Sequence, residues 1–245
     1  MATYVLVHGA WHGGWCWRKV TPLLAGAGHQ VFTPTLTGLG ERAHLAGPDV
    51  GLSTHVQDVV NVLEFEDLRE VVLVGHSYAG MVITGVAGRA LERLRHLAYL
   101  DAYLPRPGQS LVDLIPPERL VSMRQRVRDE GQGWLLPSVE PEPWEVTVRE
   151  RYLVQDEADV RWMLDRLVGQ PFKTVTEPVD FSDARAAALP RTYIRCPQYS
   201  NPAFDGAAAS AAAPGSGWRA HELPTSHDAM ITAPRELADL LLALA

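Results

Sequence analysis

Ser77 lies in the run Val71-Val72-Leu73-Val74-Gly75-His76-Ser77-Tyr78-Ala79-Gly80-Met81, an apolar strand pattern that passes through a sharp turn into a helix start. A turn of this kind strains its central residue and tolerates only small residues two places before and after it; Gly75 and Ala79 meet that condition, with Ala79 standing where the pattern G-x-S-x-G has its second Gly. The hydroxyl is thereby lifted clear of the sheet at a helix N-terminus, where free N–H groups favour developing negative charge. The chemistry this suggests is covalent attack by Ser77. A serine hydroxyl needs a general base near neutral pH, and His227 is the candidate, placed in a loop between the last strand pattern and the last helix pattern. His76 is adjacent to the serine and cannot serve it, so packing beneath the turn is its expected role. A second loop, Val7-His8-Gly9-Ala10-Trp11-His12-Gly13-Gly14, follows the first strand pattern. The backbone N–H groups of Ala10 and Tyr78, one from each loop, are the expected oxyanion donors.

The carboxylate that would orient His227 has two candidates. Asp101 ends the apolar run Leu97-Ala98-Tyr99-Leu100, 24 residues after Ser77, and neighbouring strands of a parallel sheet end on the same edge. Asp205 lies 22 residues before His227, where a loop could fold it back. Asp101 is favoured, and a Ser-His dyad without an acid stays open. No phosphate-cradling glycine pattern is present, and Cys16 and Cys196 have no neighbouring Cys with which to make a local metal pattern, so no cofactor and no metal is expected.

Elements must bring these residues together. Short apolar runs at Tyr4–Val7, Glu70–Val74, Leu97–Leu100 and Thr192–Cys196 fit buried parallel strands, and Gln30–Thr33 and Trp218–Glu222 add two weaker ones. Helical spacing recurs over Arg18–Ala27, Thr54–Phe65, Tyr78–Leu91 and Arg235–Ala245. The alternation predicts an α/β fold, a mostly parallel, doubly wound sheet of about six strands. It lapses between Pro105 and Asp183, where repeated Pro, several Trp and the amphipathic pieces Pro117–Arg128 and Asp156–Leu167 suggest an inserted helical cap over the carboxyl ends of the strands. The expected organisation is a core of residues 1–104 and 184–245 with a cap at 105–183. Trp134, Trp144 and Trp162 of the cap, with Trp11 and Tyr78 of the core, are the expected substrate-binding residues.

With 22 basic and 29 acidic side chains the formal charge is −7, and clustered Lys and Arg are lacking, which argues against nucleic acid as a partner. No unbroken apolar window approaches the length of a membrane span, and the N-terminus lacks the basic region of a signal peptide, so a cytoplasmic protein is expected. Arg outnumbers Lys 20 to 2 and Ala runs are long, a bias of GC-rich bacterial genomes. The sequence leaves room for a homodimer.

The segments VLVHGAWHGGWCW, GHQVFTPTLTGLGER, VVLVGHSYAGMV, LAYLDAYLP and the terminal HDAM together resemble the α/β-hydrolases of the small branch that holds plant methyl-ester esterases, hydroxynitrile lyases and bacterial pyrethroid-hydrolase-type carboxylesterases. The resemblance spans nearly the whole chain. It implies a cofactor-independent serine hydrolase that cleaves a carboxylic ester, thioester or lactone with a hydrophobic or aromatic part through an acyl-enzyme on Ser77. The branch usually places its acid after the fifth core strand, where this chain reads Cys196-Pro197-Gln198-Tyr199; pancreatic-type lipases and certain haloalkane dehalogenases place theirs where Asp101 stands. The lyases carry Thr after the first-strand His and Lys after the catalytic His. Gly9 and Asp228 occupy those places, and the acidic neighbour would repel departing cyanide. Two further readings stay open: a non-hydrolytic Ser-His lyase, decarboxylase or cyclase acting on a polyketide-like metabolite, and a small-molecule receptor on a hydrolase scaffold.

Overall fold

A computed structural model describes residues 1–138, 142–180 and 188–245. Six strands form the central sheet: β1 (Thr3–Val7), β2 (Gln30–Phe32), β3 (Val71–His76), β4 (Leu94–Leu100), β7 (Arg191–Arg195) and β8 (Trp218–Glu222); β5 (Leu135–Leu136) and β6 (Gln170–Pro171) pair separately. The central order is β2-β1-β3-β4-β7-β8 and every pairing in it is parallel. All six strand runs expected from the sequence are therefore present in one sheet. The β5–β6 pair is antiparallel and was not foreseen, because two-residue strands leave no periodicity to read.

The unbroken apolar run of β3 is buried at every residue, as befits a strand covered on both faces. β8, at one edge, is exposed along most of its length, which explains its weaker pattern. The helix Ala79–Arg89 lies between the sheet and the helix Leu52–Phe65, and its first nine residues are all buried. The first helix begins at Thr21 rather than Arg18: Gly14–Trp17 form a 3₁₀ turn, and Pro22 suits the first turn of the helix that follows. The C-terminal helical pattern at Arg235–Ala245 is the helix Pro234–Leu242, and a separate short helix, Ala229–Thr232, precedes it with the break just before Pro234. The Ala-rich segment is the helix Pro202–Ala212, packed on β7 and β8.

Between β4 and β7 the described residues add no strand to the central sheet. They form the helices Pro117–Asp129 and Glu157–Leu164, the β5–β6 pair and shorter turns. Asp156 caps the second of these, accepting N–H bonds from Ala158 and Asp159 at 2.9 Å. The division expected near residues 183–184 lies outside the described residues. Among the described residues no helix is long and apolar enough to cross a membrane.

Candidate active site

The carboxyl ends of β3 and β4 converge on Ser77. Its φ is 56°, left-handed backbone that a side chain adopts only under constraint. That constraint is visible in the hydrogen bonds: Ser77 N–H donates to the Leu100 carbonyl, and the Ser77 carbonyl accepts from Gly80 and Tyr103 N–H, each at 3.1 Å. Two glycines make the turn sterically feasible. A Cβ on Gly75 would sit 2.7 Å from the Ala79 carbonyl oxygen, and one on Gly80 would run into the carbonyl of Tyr103.

From this turn a continuous chain of hydrogen bonds runs inward. Ser77 Oγ is 2.9 Å from His227 Nε2, and His227 Nδ1 is 2.7 Å from Asp101 Oδ2. The carboxylate can only accept, so Nδ1 carries the proton and Nε2 is the lone pair facing the hydroxyl. Asp101 is fully buried, also at positive φ (43°), and its other oxygen accepts from Cys196 N–H at 3.0 Å and from Arg195. Asp205 lies elsewhere. It is on the surface and accepts from Arg195 Nε at 2.9 Å, with no bond to His227. The imidazole is stacked on Tyr199 and Phe204, with centroids 4.5 and 5.4 Å away. His76 is buried beneath it, its Nε2 donating to the His227 carbonyl at 3.0 Å; burial first, and the nearby His227 next, hold its pKa well below 6.5. His76 thus braces the loop as a neutral ring, the packing role expected of it.

The first-strand loop is equally fixed. His8 Nδ1 donates to the Gly9 carbonyl at 2.8 Å while Nε2 accepts from Leu36 N–H at 3.1 Å, and burial pushes the His8 pKa down to about 3. Because a trans peptide points its N–H opposite its C=O, pinning the Gly9 carbonyl also aims the Ala10 N–H. Neither Ala10 N–H nor Tyr78 N–H is hydrogen-bonded to any described residue, and both residues line the cavity that Ser77 opens on. Trp11, at φ 63°, ties this loop to β5 and β6: its N–H reaches Gln170 Oε1 at 3.2 Å and its indole N–H the Leu136 carbonyl at 3.1 Å.

The cavity walls are mostly apolar and include Trp11, Tyr78, Met123, Tyr152, Tyr199 and Phe204. Of the expected substrate-binding residues, Trp11 and Tyr78 are there, the Tyr78 hydroxyl being engaged with His55 Nδ1 at 2.9 Å. Trp134, Trp144 and Trp162 are not. Trp144 packs edge-on against Trp11, behind the wall, with centroids 5.8 Å apart. Trp162 packs on Trp15 and takes the Arg18 guanidinium over its ring at 4.1 Å, while the Trp134 carbonyl bonds Phe172 N–H at 2.7 Å. Trp spacing in the sequence reports burial of large rings, not which surface they bury against.

Asp228 also departs from expectation. Its carboxylate turns away from the cavity to His12, whose Nε2 is 3.3 Å from Oδ2, and His76 Nε2 is 3.6 Å from Oδ1. His12 Nδ1 faces the Ala10 carbonyl at 2.7 Å, so both ring nitrogens meet acceptors and the ring is an imidazolium. Burial disfavours that cation, but Asp228 and the Ala10 carbonyl raise the His12 pKa above 6.5; burial likewise opposes the Asp228 charge, but the charge and hydrogen bond of His12 hold its pKa at about 2. The charge of Asp228 is neutralised by this pair rather than presented to a substrate.

The two shifts give a stability signature. Asp228, depressed below 3.8, stabilises the fold above that value and loses its contribution as pH falls toward 2. His12, raised above 6.5, contributes fully below 6.5 and loses its contribution as pH rises through its folded value. Asp228→Asn, which leaves a buried cation unpaired, is therefore expected to cost about 3–5 kcal/mol. Thermal melts should show the widest gap from wild type between about pH 4 and 6.5, narrowing on either side; a gap independent of pH would contradict the ion pair.

Known relatives place the chain in a family. The pattern of the alpha/beta hydrolase family matches residues 4–240. A carbendazim hydrolyzing esterase of Nocardioides sp. is 40% identical over 255 aligned positions, covering 100% of both chains. Methylesterase 2 of Arabidopsis thaliana is 24% identical over 99% of this chain and 95% of its own. Among solved structures, an extracellular alpha/beta-hydrolase from a Paenibacillus species superposes with a TM-score of 0.83 at 23% identity, covering 100% of this chain and 99% of that one, a likeness of fold. An esterase related from end to end and a family pattern running through both strands that converge on Ser77 make this chain a member of the alpha/beta hydrolase family, and an ester-cleaving one.

Proposed function

We propose that Ser77, His227 and Asp101 act as nucleophile, general base and orienting acid in hydrolysis of a carboxylic ester bearing a hydrophobic or aromatic part. The observation that carries this is the hydrogen-bond chain Ser77–His227–Asp101 opening on an apolar cavity. Ser77 Oγ attacks the carbonyl carbon while its proton passes to His227 Nε2. The resulting oxyanion is met by the Ala10 and Tyr78 N–H groups, and Asp101 stabilises the imidazolium. His227 then gives the proton to the departing alcohol, leaving an acyl-Ser77. Water, deprotonated by the same imidazole, attacks that ester and frees the acid and the serine.

The related carbendazim hydrolyzing esterase suggests carbendazim among the first substrates to test, beside aromatic carboxylic esters. Residues 105–183 supply Leu111, Ile115, Arg119, Met123, Tyr152 and Val175 to the cavity, which supports their role as a cap. The cavity is narrow, about 40 Å³, room for roughly three waters. A bulky acyl group must therefore displace cap side chains, and Met123, flexible and buried, is the one suited to give way. Met123→Ala is expected to raise kcat/KM for a bulky aryl ester about tenfold relative to an acetate ester. An unchanged ratio would place the acyl group elsewhere.

The lyase reading loses ground on sterics. A Cβ at Gly9 would lie 2.9 Å from His76 Nδ1 and 3.0 Å from Ser77 Cβ, so the position cannot take the threonine of the lyases without rearranging the turn. The test of the whole reading is a panel of chromogenic aryl esters with the purified protein. Turnover abolished by a serine-directed phosphonate, with no cyanide released from mandelonitrile, is the expected result; rapid cyanide release, or tight binding of esters without turnover, would refute it.

A further inference from the structure

We propose that Arg195 is a positioning residue of this reaction: its guanidinium, balanced from the surface by Asp205, holds the Asp101 carboxylate against His227 and sets the pH range in which the imidazole works as a base. The inference rests on the reading of Asp101 as the orienting acid and adds to it the residue that makes Asp101 usable.

The placement follows from the sheet. β4 and β7 are parallel neighbours with Tyr99 opposite Tyr193 and Leu100 opposite Ile194, so Asp101 and Arg195 leave the same edge side by side. Asp101 N–H donates to the Ile194 carbonyl at 2.7 Å, which locks the two strand ends together. Arg195 is 4% exposed, and its donors reach acceptors on three elements. Nη1 meets Asp101 Oδ1 at 2.5 Å and the Cys196 carbonyl at 2.6 Å; Nη2 meets the Tyr199 carbonyl at 2.6 Å and Asp205 Oδ1 at 2.7 Å. Such a fixed fork is particular to arginine, since a lysine ammonium could keep the charge but not these directions. The Asp101 carboxylate is thereby divided: Oδ2 takes the His227 N–H, and Oδ1 is occupied by Arg195 and the Cys196 N–H. The carboxylate cannot rotate away from the imidazole without giving up both.

The electrostatic consequence has a sign. When His227 accepts the Ser77 proton, Asp101 faces two cations, and Arg195 disfavours the second. Asp205 reduces that penalty by neutralising part of the guanidinium charge. The other groups around His227 leave this control to the Arg195 pair. His76 is held neutral by burial, and the Tyr152 phenol is held protonated in the same way. Tyr199 stacks on the ring through its face. Asp228 is engaged by the His12 imidazolium, and Arg119 and Arg151 act from the Tyr152 side.

The test is the pH dependence of kcat/KM for a soluble aryl ester in four proteins. Arg195→Gln should lower kcat and move the acid limb up by about half a unit or more, because a cation near the imidazolium is gone. Arg195→Lys should lower kcat through loss of the fork while leaving the acid limb near wild type. Asp205→Asn, a surface change, should move the limb the opposite way, down by a few tenths of a unit. A limb that stays put in both Arg195→Gln and Asp205→Asn, or that falls in Arg195→Gln, would overturn the proposal and reduce Arg195 to a packing role. Asp101→Asn in the same assay separates the two levels: near-wild-type activity there would mean that Asp101 is not the acid, a failure of the underlying reading rather than of the Arg195 argument.

Discussion

Ser77→Ala is expected to lower kcat for aryl esters by about 10⁴-fold or more while the protein keeps its fold. Among the described residues the serine hydroxyl makes one bond, to His227, and its side chain lines a cavity, so its loss removes the covalent step with little packing. What remains should be the modest catalysis of two oxyanion donors and bound water. The strained backbone at position 77 is held by bonds to Leu100, Gly80 and Tyr103 that alanine preserves. Stopped assays at high enzyme concentration, beside a thermal melt within a few degrees of wild type, check both halves. A variant retaining more than a few per cent of wild-type kcat would leave the acyl-enzyme untenable.

The second large effect is expected at Asp101. Asp101→Asn keeps the shape but replaces the acceptor with an amide that can present its N–H to Nδ1, which favours the wrong imidazole tautomer; in serine proteases such a change costs about 10⁴ in kcat. Asp205→Asn, whose carboxylate bonds Arg195 alone among the described residues, should stay within a few fold of wild type at the pH optimum. Single-turnover acylation rates measured side by side decide between them. Loss of acylation by orders of magnitude in Asp205→Asn with a near-normal Asp101→Asn would reverse the assignment, and two near-normal variants would leave a Ser-His dyad.

The strands were legible because buried parallel strands carry apolar runs bounded by turns, and the run Val71–His76 is buried throughout. The turn at Ser77 was legible because Gly75 must be small where the Ala79 carbonyl passes close by. Asp101 could be argued from topology, as a residue at the end of a strand adjacent to β3, and from the place of the acid in pancreatic-type lipases, but not from any local motif. Arg195 carried no signal of its own: an arginine at a strand end looks like a surface residue, and it is buried only because acceptors from Asp101, the 196–199 loop and the helix Pro202–Ala212 converge on it. A carboxylate at the end of β4 and a cation at the end of β7 would have been the clue, once those strands are known to be parallel neighbours. The sense of Asp228 was misread for a similar reason. Sequence adjacency to His227 says nothing about direction, and the two side chains point to different sides of the loop, one to Ser77 and one to His12. Gln170 and the aromatic cage of Tyr152, Tyr199 and Phe204 are likewise products of long-range packing that no local spacing encodes.

Covalent chemistry at Ser77 is open to direct observation. The protein should be mixed with excess 4-nitrophenyl ester, the 4-nitrophenolate burst followed by stopped flow, and the acid-quenched protein digested for peptide masses. A burst approaching one equivalent per chain, with the acyl mass on the peptide that contains Ser77 and on no peptide of the Ser77→Ala protein, is the predicted result. Steady turnover without a burst, with no acylated peptide under single-turnover conditions, or with the acyl group on another residue, would contradict the account.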